Sequence, residues 1–253
     1  MKKLIIANWK MNPSSLKEAQ RLFNAVKKAS ISKKNIRTII CPPFPFLAGI
    51  TKGRSSVVLG AQDVFWEKKG AYTGEVSCQM LRSLGVSYVM IGHSERRENL
   101  KEDSEIVRKK LKTAITEGLN VILCVGEKKR DSDGSYLHFV KEEIISAMKG
   151  IKRQDLSKIT ITYEPIWAIS STKRSKNVTP KDAVEMSIFI TRILSTIYSA
   201  KLAAKVKVIY GGSADPENTK DYLSNEYIKG LLVGAESLKP ARFAKILEVA
   251  NKV

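Results

Sequence analysis

Short apolar runs alternate with longer amphipathic stretches along the whole chain. The runs are mostly continuous, which is typical of parallel strands that pack against helices on one face and inside a core on the other. Eight of them occur, at residues 4–7, 38–41, 56–61, 88–91, 121–125, 159–163, 206–210 and 230–233. We predict that each run is a β-strand.

The stretches between the runs carry helical periodicity. Residues 16–28 place one apolar face on a helix, and residues 105–116 repeat the same spacing, with Gly118 as a C-terminal cap. Thr179 and Pro180 form a helix start, as N-cap and first helical residue. A last helix is predicted to begin at Lys239-Pro240 and to run through Leu247.

Eight β-α repeats without a linker or break predict a single-domain (β/α)8 barrel, an α/β fold, over residues 1–253. The alternative architecture is an open doubly wound sheet. That fold usually has a glycine-rich turn after its first strand, whereas Asn8-Trp9-Lys10 follows the first run here. The pattern therefore favours the barrel.

Composition excludes several classes of protein. The 43% hydrophobic and 27% charged fractions are ordinary for a globular chain, and there is no apolar run of 18 residues. The apolar stretch near residue 1 is too short for a secretory signal, so a cytoplasmic location is expected. The three cysteines, Cys41, Cys78 and Cys124, and the two histidines, His93 and His138, fit neither a disulfide framework nor a metal site.

The net charge of +19 is the one unusual bulk property. Such a charge can indicate nucleic-acid binding, but the basic residues are scattered over many predicted helices without interleaved aromatics. We interpret the charge as a solvated basic surface, so this pattern argues against a nucleic-acid partner. A positive field would also attract a small anionic substrate.

Polar residues at the strand ends are the candidates for chemistry, because a barrel gathers these ends into one mouth. Glu164 follows the run at 159–163 and is stiffened by Pro165, so it is either a general base or a salt-bridged acid. His93 and Lys10 follow two other runs. Taken alone, His93 could instead be a structural histidine that forms hydrogen bonds. Taken alone, Lys10 could be an exposed surface lysine.

Glycine-rich turns at residues 211–213 and 234–235 follow the last two runs. Exposed N–H groups in such turns bind anions, and this is the usual phosphate position in barrels. The sequence thus indicates a small phosphorylated substrate. We interpret Cys124 as a packing residue, because no histidine lies near it in sequence to activate it, and we expect Arg96 and Arg97 to form ion pairs.

Together these motifs resemble one family, triosephosphate isomerase, along essentially the whole chain. The matching segments are residues 7–12 (ANWKMN), 60–62 (GAQ), 70–75 (GAYTGE), 91–97 (IGHSERR), 124–127 (CVGE), 163–169 (YEPIWAI) and 210–213 (YGGS). Their order makes the resemblance specific, although any one segment alone would not.

The resemblance implies roles for the catalytic candidates. Glu164 would remove a proton from the carbon next to the carbonyl and return it to the neighbouring carbon, while His93 and Lys10 would stabilise the enediolate oxygen. A helix that starts at Ser94 would keep the imidazole of His93 neutral. Asn8 would hold the substrate, and Glu95 would orient Lys10.

The resemblance also implies binding residues and partners. Phosphate would be held by the N–H groups of Ser170, Ser213, Gly234 and Ala235, together with the Ser213 hydroxyl, under a lid that begins at residues 165–167. Tyr72 and Thr73 would belong to a loop that reaches a second subunit in a homodimer. No metal or organic cofactor is implied.

Two segments depart from the family pattern. Where the family has Gly-Thr-Gly in the lid, this chain has Ser170-Ser171-Thr172, followed by a longer basic hinge at residues 173–178. On the last strand, Ala235 replaces a glycine and Glu236 follows it. A carboxylate near phosphate is repulsive, so we expect Glu236 to point away from the mouth.

The glycine-free lid leads to a first testable prediction. A non-glycine residue held at positive φ costs about 1 kcal/mol, so lid closure should differ energetically from the family's usual lid. We expect Ser170→Gly and Thr172→Gly to change kcat or the yield of the methylglyoxal side product. Unchanged values for both would show that the departure is a tolerated surface insertion.

Two further functions remain open at this level. Another sugar-phosphate barrel enzyme, such as an aldolase, would need a Schiff-base lysine inside the barrel, which borohydride trapping would reveal. A non-catalytic or weakly active paralogue would bind anionic partners through the basic surface. The presence of Lys10, His93 and Glu164 argues against this last interpretation.

Overall fold

The eight predicted runs become eight strands of one closed parallel barrel in the computed structural model, which describes residues 2–50, 56–168 and 178–253. The strands are β1 Lys3–Asn8, β2 Ile36–Cys41, β3 Val57–Ala61, β4 Tyr88–Ile91, β5 Asn120–Val125, β6 Ile159–Tyr163, β7 Lys207–Tyr210 and β8 Gly230–Val233. Strands that follow each other in sequence pair in space, and β8 closes on β1, with Leu4 opposite Gly230. This confirms the barrel and rules out the open sheet.

Helices connect the strands and cover the barrel. They are α1 Leu16–Ser30, α2 Phe44–Ile50, α3 Cys78–Ser83, α4 Ser94–Asn99, α5 Ser104–Thr116, α6 Ser135–Met148, α7 Pro180–Ile197, α8 Ala200–Ala203, α9 Thr219–Leu223 and α10 Pro240–Lys252, with 3-10 turns at Arg153–Lys158, Ile166–Ala168 and Ala235–Leu238. Within the described residues, no helix is long and apolar enough to cross a membrane.

The helix ends follow their capping residues. Thr179 caps α7 as predicted: its hydroxyl accepts the Asp182 N–H, and the Asp182 carboxylate accepts the Thr179 N–H in return. The prediction for α10 was too short, because Ala250 extends its buried face beyond Leu247 and the helix continues to Lys252.

Each strand is buried on both of its faces. On β1, Leu4 and Ile6 point into the barrel and belong to the inner core. Ile5 and Ala7 point outward and pack in the larger core between the barrel and its helices. Because both faces are apolar, the strands are continuous apolar runs in the sequence.

A buried charged cluster joins the end of β3 to α4 and α5. Lys110 on α5 donates to both oxygens of Asp63, at 2.8 and 2.7 Å, and to Glu102, at 2.6 Å. Arg96 on α4 also binds both carboxylates. Burial raises the pKa of Asp63; it acts the same way on Glu102, but hydrogen bonds from Lys110 and Arg96 outweigh it and lower that pKa. Arg96 thus forms the ion pairs that we expected of it, and these pairs hold α4 in place.

Truncation of this cluster should destabilise the fold strongly. Lys110→Ala leaves buried carboxylates without one of their cations, so we expect a loss of about 3–5 kcal/mol in the free energy of unfolding. Lys112→Ala, at an exposed position on the same helix, is the matched control and should change it by less than about 1 kcal/mol. Urea denaturation of both variants measures the difference, and equal losses would contradict the prediction.

Candidate active site

The carboxyl ends of β1, β4 and β6 position the three catalytic candidates. Asn8, Lys10 and His93 line one cavity of about 560 Å³. Glu164, directly after β6, reaches the same histidine: its Oε1 lies 3.4 Å from His93 Nε2. The structure therefore brings together the residues that the sequence singled out at separate strand ends.

The carboxylate of Glu164 is almost completely buried, with 2% of the side chain exposed. Its Oε2 accepts the N–H of Ser94 at 3.1 Å, at the start of α4. Among the described residues, no hydrogen-bond donor serves Oε1. One oxygen is thus anchored and the other faces His93, unsatisfied, which is what a proton acceptor requires.

Gly211 makes room for this carboxylate. A Cβ atom at Gly211 would lie 3.1 Å from Glu164 Cγ and 2.5 Å from Thr162 Cγ2. The Gly211 N–H donates to Tyr163 O at 2.8 Å, so it is not available to an anion. The first glycine after β7 therefore serves Glu164, a role that the sequence alone did not reveal.

His93 is the N-cap of α4, which begins at Ser94 as expected. Its Nδ1 accepts the N–H of Glu95 at 3.2 Å. In a neutral ring, this bond leaves the proton on Nε2, the nitrogen that faces Glu164. The local helix start thus selects the tautomer that can donate into the mouth.

Lys10 is held in a left-handed backbone conformation, with φ of 53°. This conformation costs a lysine about 1–2 kcal/mol. Two bonds maintain it: the Lys10 N–H donates to Asn8 Oδ1 at 3.0 Å, and the Gln62 amide donates to Lys10 O at 2.8 Å. The ammonium group binds Glu95 on α4, as the resemblance implied.

The last two strand ends form a second, smaller part of the site. A cavity of about 190 Å³ is lined by residues that include Ser213, Gly234 and Ala235. Ala235 starts a 3-10 turn, where the first N–H groups have no partner within the turn. A Cβ atom at Gly234 would lie 3.7 Å from Lys10 Cε, so this turn adjoins Lys10. Ser170, the fourth predicted phosphate ligand, lies outside the described residues.

A family model described as triosephosphate isomerase matches residues 3–250 of this chain. The chain belongs to the triosephosphate isomerase family. Proteins with that name from Aquifex aeolicus and Dictyoglomus turgidum are both 40% identical to it, over 250 and 249 residues. These matches cover 98% and 97% of this chain and 99% and 98% of the relatives. A third, from Finegoldia magna, is 42% identical over 250 residues, covering 97% of this chain and 98% of its own.

Membership in the triosephosphate isomerase family confirms the resemblance drawn from seven short segments. It also sets aside the aldolase alternative.

Glu127 and Ser213 hold the residues at which the family resemblance predicts the start of a lid. Glu127 Oε1 accepts hydrogen bonds from Tyr163 OH and from Trp167 Nε1, each at 2.8 Å. Burial raises the pKa of Glu127. The Ser213 hydroxyl, predicted to bind phosphate, donates to Ala168 O at 3.1 Å. Trp167 is therefore tied to β6 through Glu127, and Ala168 is tied to the turn after β7.

Glu236, where this chain departs from the family pattern, is paired with cations. Its carboxylate accepts hydrogen bonds from Lys239 Nζ, at 2.7 Å, and from Arg242 Nε. Lys239 immediately precedes α10, and Arg242 lies on it. Glu236 and Arg242 both line the small cavity beside Ser213, so the expectation that Glu236 turns away from the mouth stays a prediction. The two cations offset the charge of Glu236 at this cavity.

Cys124 is fully buried and lies against the catalytic candidate. Burial, and next the negative charge of Glu164, raise its pKa well above the usual range. A thiol so strongly held in its neutral form is a poor nucleophile. The interpretation of Cys124 as a packing residue fits this environment.

Tyr72 and Thr73 lie on an exposed loop. Residues 67–75 are all exposed, and the ring of Tyr72 packs on Phe65 of the same chain, with centroids 4.7 Å apart. The loop is thus accessible to a second subunit.

Proposed function

We propose that this chain catalyses the reaction for which its family is named, the interconversion of dihydroxyacetone phosphate and D-glyceraldehyde 3-phosphate. The observation that carries the proposal is the buried carboxylate of Glu164, whose Oε1 has no donor among the described residues and lies 3.4 Å from His93 Nε2. At this separation, a base and a hydrogen-bond donor can act on the same small substrate: the base removes a proton from carbon, and the donor binds the oxygen.

Glu164 acts as the base in this proposal. It removes a proton from the carbon next to the substrate carbonyl and returns it to the neighbouring carbon. Both steps need one free carboxylate oxygen and a fixed orientation, and the Ser94 N–H supplies the orientation by holding Oε2. The two half-reactions share an enediolate intermediate, whose oxygens carry the negative charge.

His93 and Lys10 stabilise that charge. The Nε2–H group of His93 can donate a hydrogen bond to the enediolate oxygen, because Nδ1 already accepts the Glu95 N–H at the start of α4. Lys10 supplies a fixed positive charge that Glu95 and the strained backbone hold in place. Fixed charges and donors stabilise a transition state without having to reorganise during the reaction.

The phosphate group binds at the ends of β7 and β8 in this proposal, to the N–H groups of Ser213, Gly234 and Ala235, with Ser170 joining from the lid. The proximity of Gly234 to Lys10 supports it, since one small substrate can then span both parts of the site. Asn8 accepts the Lys10 N–H and so holds the backbone of Lys10. It also lines the cavity in which the substrate would bind.

We further propose a homodimer and a cytoplasmic location. The exposed loop with Tyr72 and Thr73 supports the dimer, because the exposed ring of Tyr72 is an apolar surface that a partner subunit can cover. The reduced state expected of the three buried cysteines supports the location.

A coupled assay with glyceraldehyde 3-phosphate tests the proposed reaction. We expect the chain to form dihydroxyacetone phosphate, and Glu164→Gln to lower the rate by about 10²–10⁴-fold. A rate for the unmodified chain that equals the rate of Glu164→Gln would contradict the proposal and favour a non-catalytic paralogue.

A further inference from the structure

Four cations lie together at the end of the barrel opposite the active site. Lys3 begins β1, Arg37 is the second residue of β2, Lys207 begins β7, and Lys229 immediately precedes β8. These four strands are neighbours in the barrel. We refer to Lys3, Arg37, Lys207 and Lys229 as the barrel floor.

The backbone register fixes these residues side by side. The Lys229 N–H donates to Val208 O at 2.8 Å, and Lys229 O accepts the Leu4 N–H at 3.0 Å. Arg37 stands opposite Leu4 in the β1–β2 pair. Arg37 and Lys207 have the same alternation as Ile39 and Ile209 of the inner core, so both lie on the inner side of the barrel. Arg37 Nη1 donates to the hydroxyl of Tyr88 at 3.2 Å.

No side-chain carboxylate among the described residues pairs with a cation of the barrel floor. Other lysines at this end do have partners: Lys158 binds Asp155 at 2.8 Å, and Lys252 binds Glu248 at 2.7 Å. Lys3 Nζ donates to Val253 O.

The cations of the floor act on one another in two pairs, Lys3 with Lys229 and Lys207 with Arg37. Burial, and next the charge of Lys229, lower the pKa of Lys3. Burial, and next the charge of Arg37, lower the pKa of Lys207. Like charges held together without a counterion destabilise a fold, and a bound anion relieves that repulsion.

A cavity of about 410 Å³ adjoins the floor. The residues that line it are Lys2, Lys3, Lys34, Asn35, Ala250, Lys252 and Val253. Four of its lining residues are lysines, so the cavity, like the floor, is rich in cationic side chains.

We propose that the barrel floor and this cavity bind a small multivalent phosphate anion of the pyrophosphate or tripolyphosphate class. Several phosphate groups in one short ion match several cations at one end of the barrel, and each contact would be a charge-assisted hydrogen bond. The inference does not depend on the proposed reaction, since the mouth lies at the other ends of the strands.

The surroundings favour a small anion over nucleic acid. Bases of a single strand stack on successive exposed aromatic rings. Tyr88 is buried beneath Arg37, and Tyr227, two residues before Lys229, offers one exposed ring. The cations also come from four adjacent strand ends, so they form a compact group rather than an extended groove.

Calorimetric titration with sodium tripolyphosphate tests the proposal. Four proteins are compared: the unmodified chain, Arg37→Gln/Lys207→Gln, Lys3→Gln/Lys229→Gln, and the control Lys112→Gln/Lys141→Gln. The control removes the same net charge from exposed helix positions. The mouth is intact in all four, so any binding there contributes equally.

We expect both floor variants to bind tripolyphosphate at least roughly tenfold more weakly than the unmodified chain and the control. Without the anion, their melting temperatures should not fall, because a repulsion has been removed. The two variants alter different strands, so if one fails to fold the other decides.

Equal affinity of a folded floor variant and the control would overturn the proposal, as would an equal loss in the control. A single-stranded oligonucleotide of about 20 residues forms a parallel arm. If it binds through the floor residues while tripolyphosphate does not bind there, the site belongs to nucleic acid and the proposal is wrong.

Discussion

Replacing Glu164 with aspartate is expected to lower kcat about 10²-fold and to change KM much less. The shorter side chain withdraws the carboxylate from the substrate carbon, and a displacement of about 1 Å is enough for a loss of this size. The charge and the phosphate contacts remain, so substrate binding is largely preserved. Steady-state rates in the coupled assay measure both parameters.

The matched control for this substitution is Glu185→Asp. Glu185 is exposed on α7, so the same loss of one methylene there should leave kcat unchanged. If Glu164→Asp keeps the full kcat, Glu164 is a structural acid at a strand end, and its bond to the Ser94 N–H is its whole function.

Removing the charge of Lys10 should have the second large effect. Lys10→Met keeps an unbranched side chain that ends one atom short of the ammonium nitrogen. Methionine, like lysine, occupies the left-handed backbone conformation at a cost. We expect kcat/KM to fall by about 10²–10³-fold, the usual loss when one fixed donor to a transition-state oxyanion is removed.

Glu95 separates the charge of Lys10 from its placement. Glu95→Gln removes the ion pair that orients the ammonium group but leaves its charge, so its effect on kcat/KM should be smaller than that of Lys10→Met. A loss at Glu95→Gln that equals or exceeds the loss at Lys10→Met would show that Lys10 matters only as a partner of Glu95.

The barrel was predictable from the sequence because its strands are buried on both faces. Burial of Leu4 and Ile6 inside, and of Ile5 and Ala7 outside, makes the strand a continuous apolar run. Helix ends were predictable where a capping residue marks them, as at Thr179. They were missed where only a buried face continues, as at Ala250 in α10.

The candidate site was predictable as a set of strand-end residues but not as a network. Gln62 lies in a matching segment, yet nothing in its neighbours along the chain shows that its amide holds the strained backbone of Lys10. The same is true of Lys110, which is one of many lysines in the sequence and becomes distinctive only because Asp63 and Glu102 surround it. Long-range pairs of this kind depend on tertiary packing.

The basic surface was interpreted from the sequence as scattered charge. The structure shows that scattering along the chain does not mean dispersal in space, because the starts of four neighbouring strands place Lys3, Arg37, Lys207 and Lys229 at one end of the barrel. Strand order, which a charge count does not contain, decides this.

Proton exchange in deuterium oxide tests the central claim, that Glu164 transfers a proton between adjacent carbons of a triose phosphate. Dihydroxyacetone phosphate is incubated with the unmodified chain and with Glu164→Gln, and the position of the label is read by NMR. We predict that the unmodified chain places deuterium on the carbon next to the carbonyl and that Glu164→Gln does not. Conversion without label at either carbon, or equal labelling by both proteins, would contradict the account.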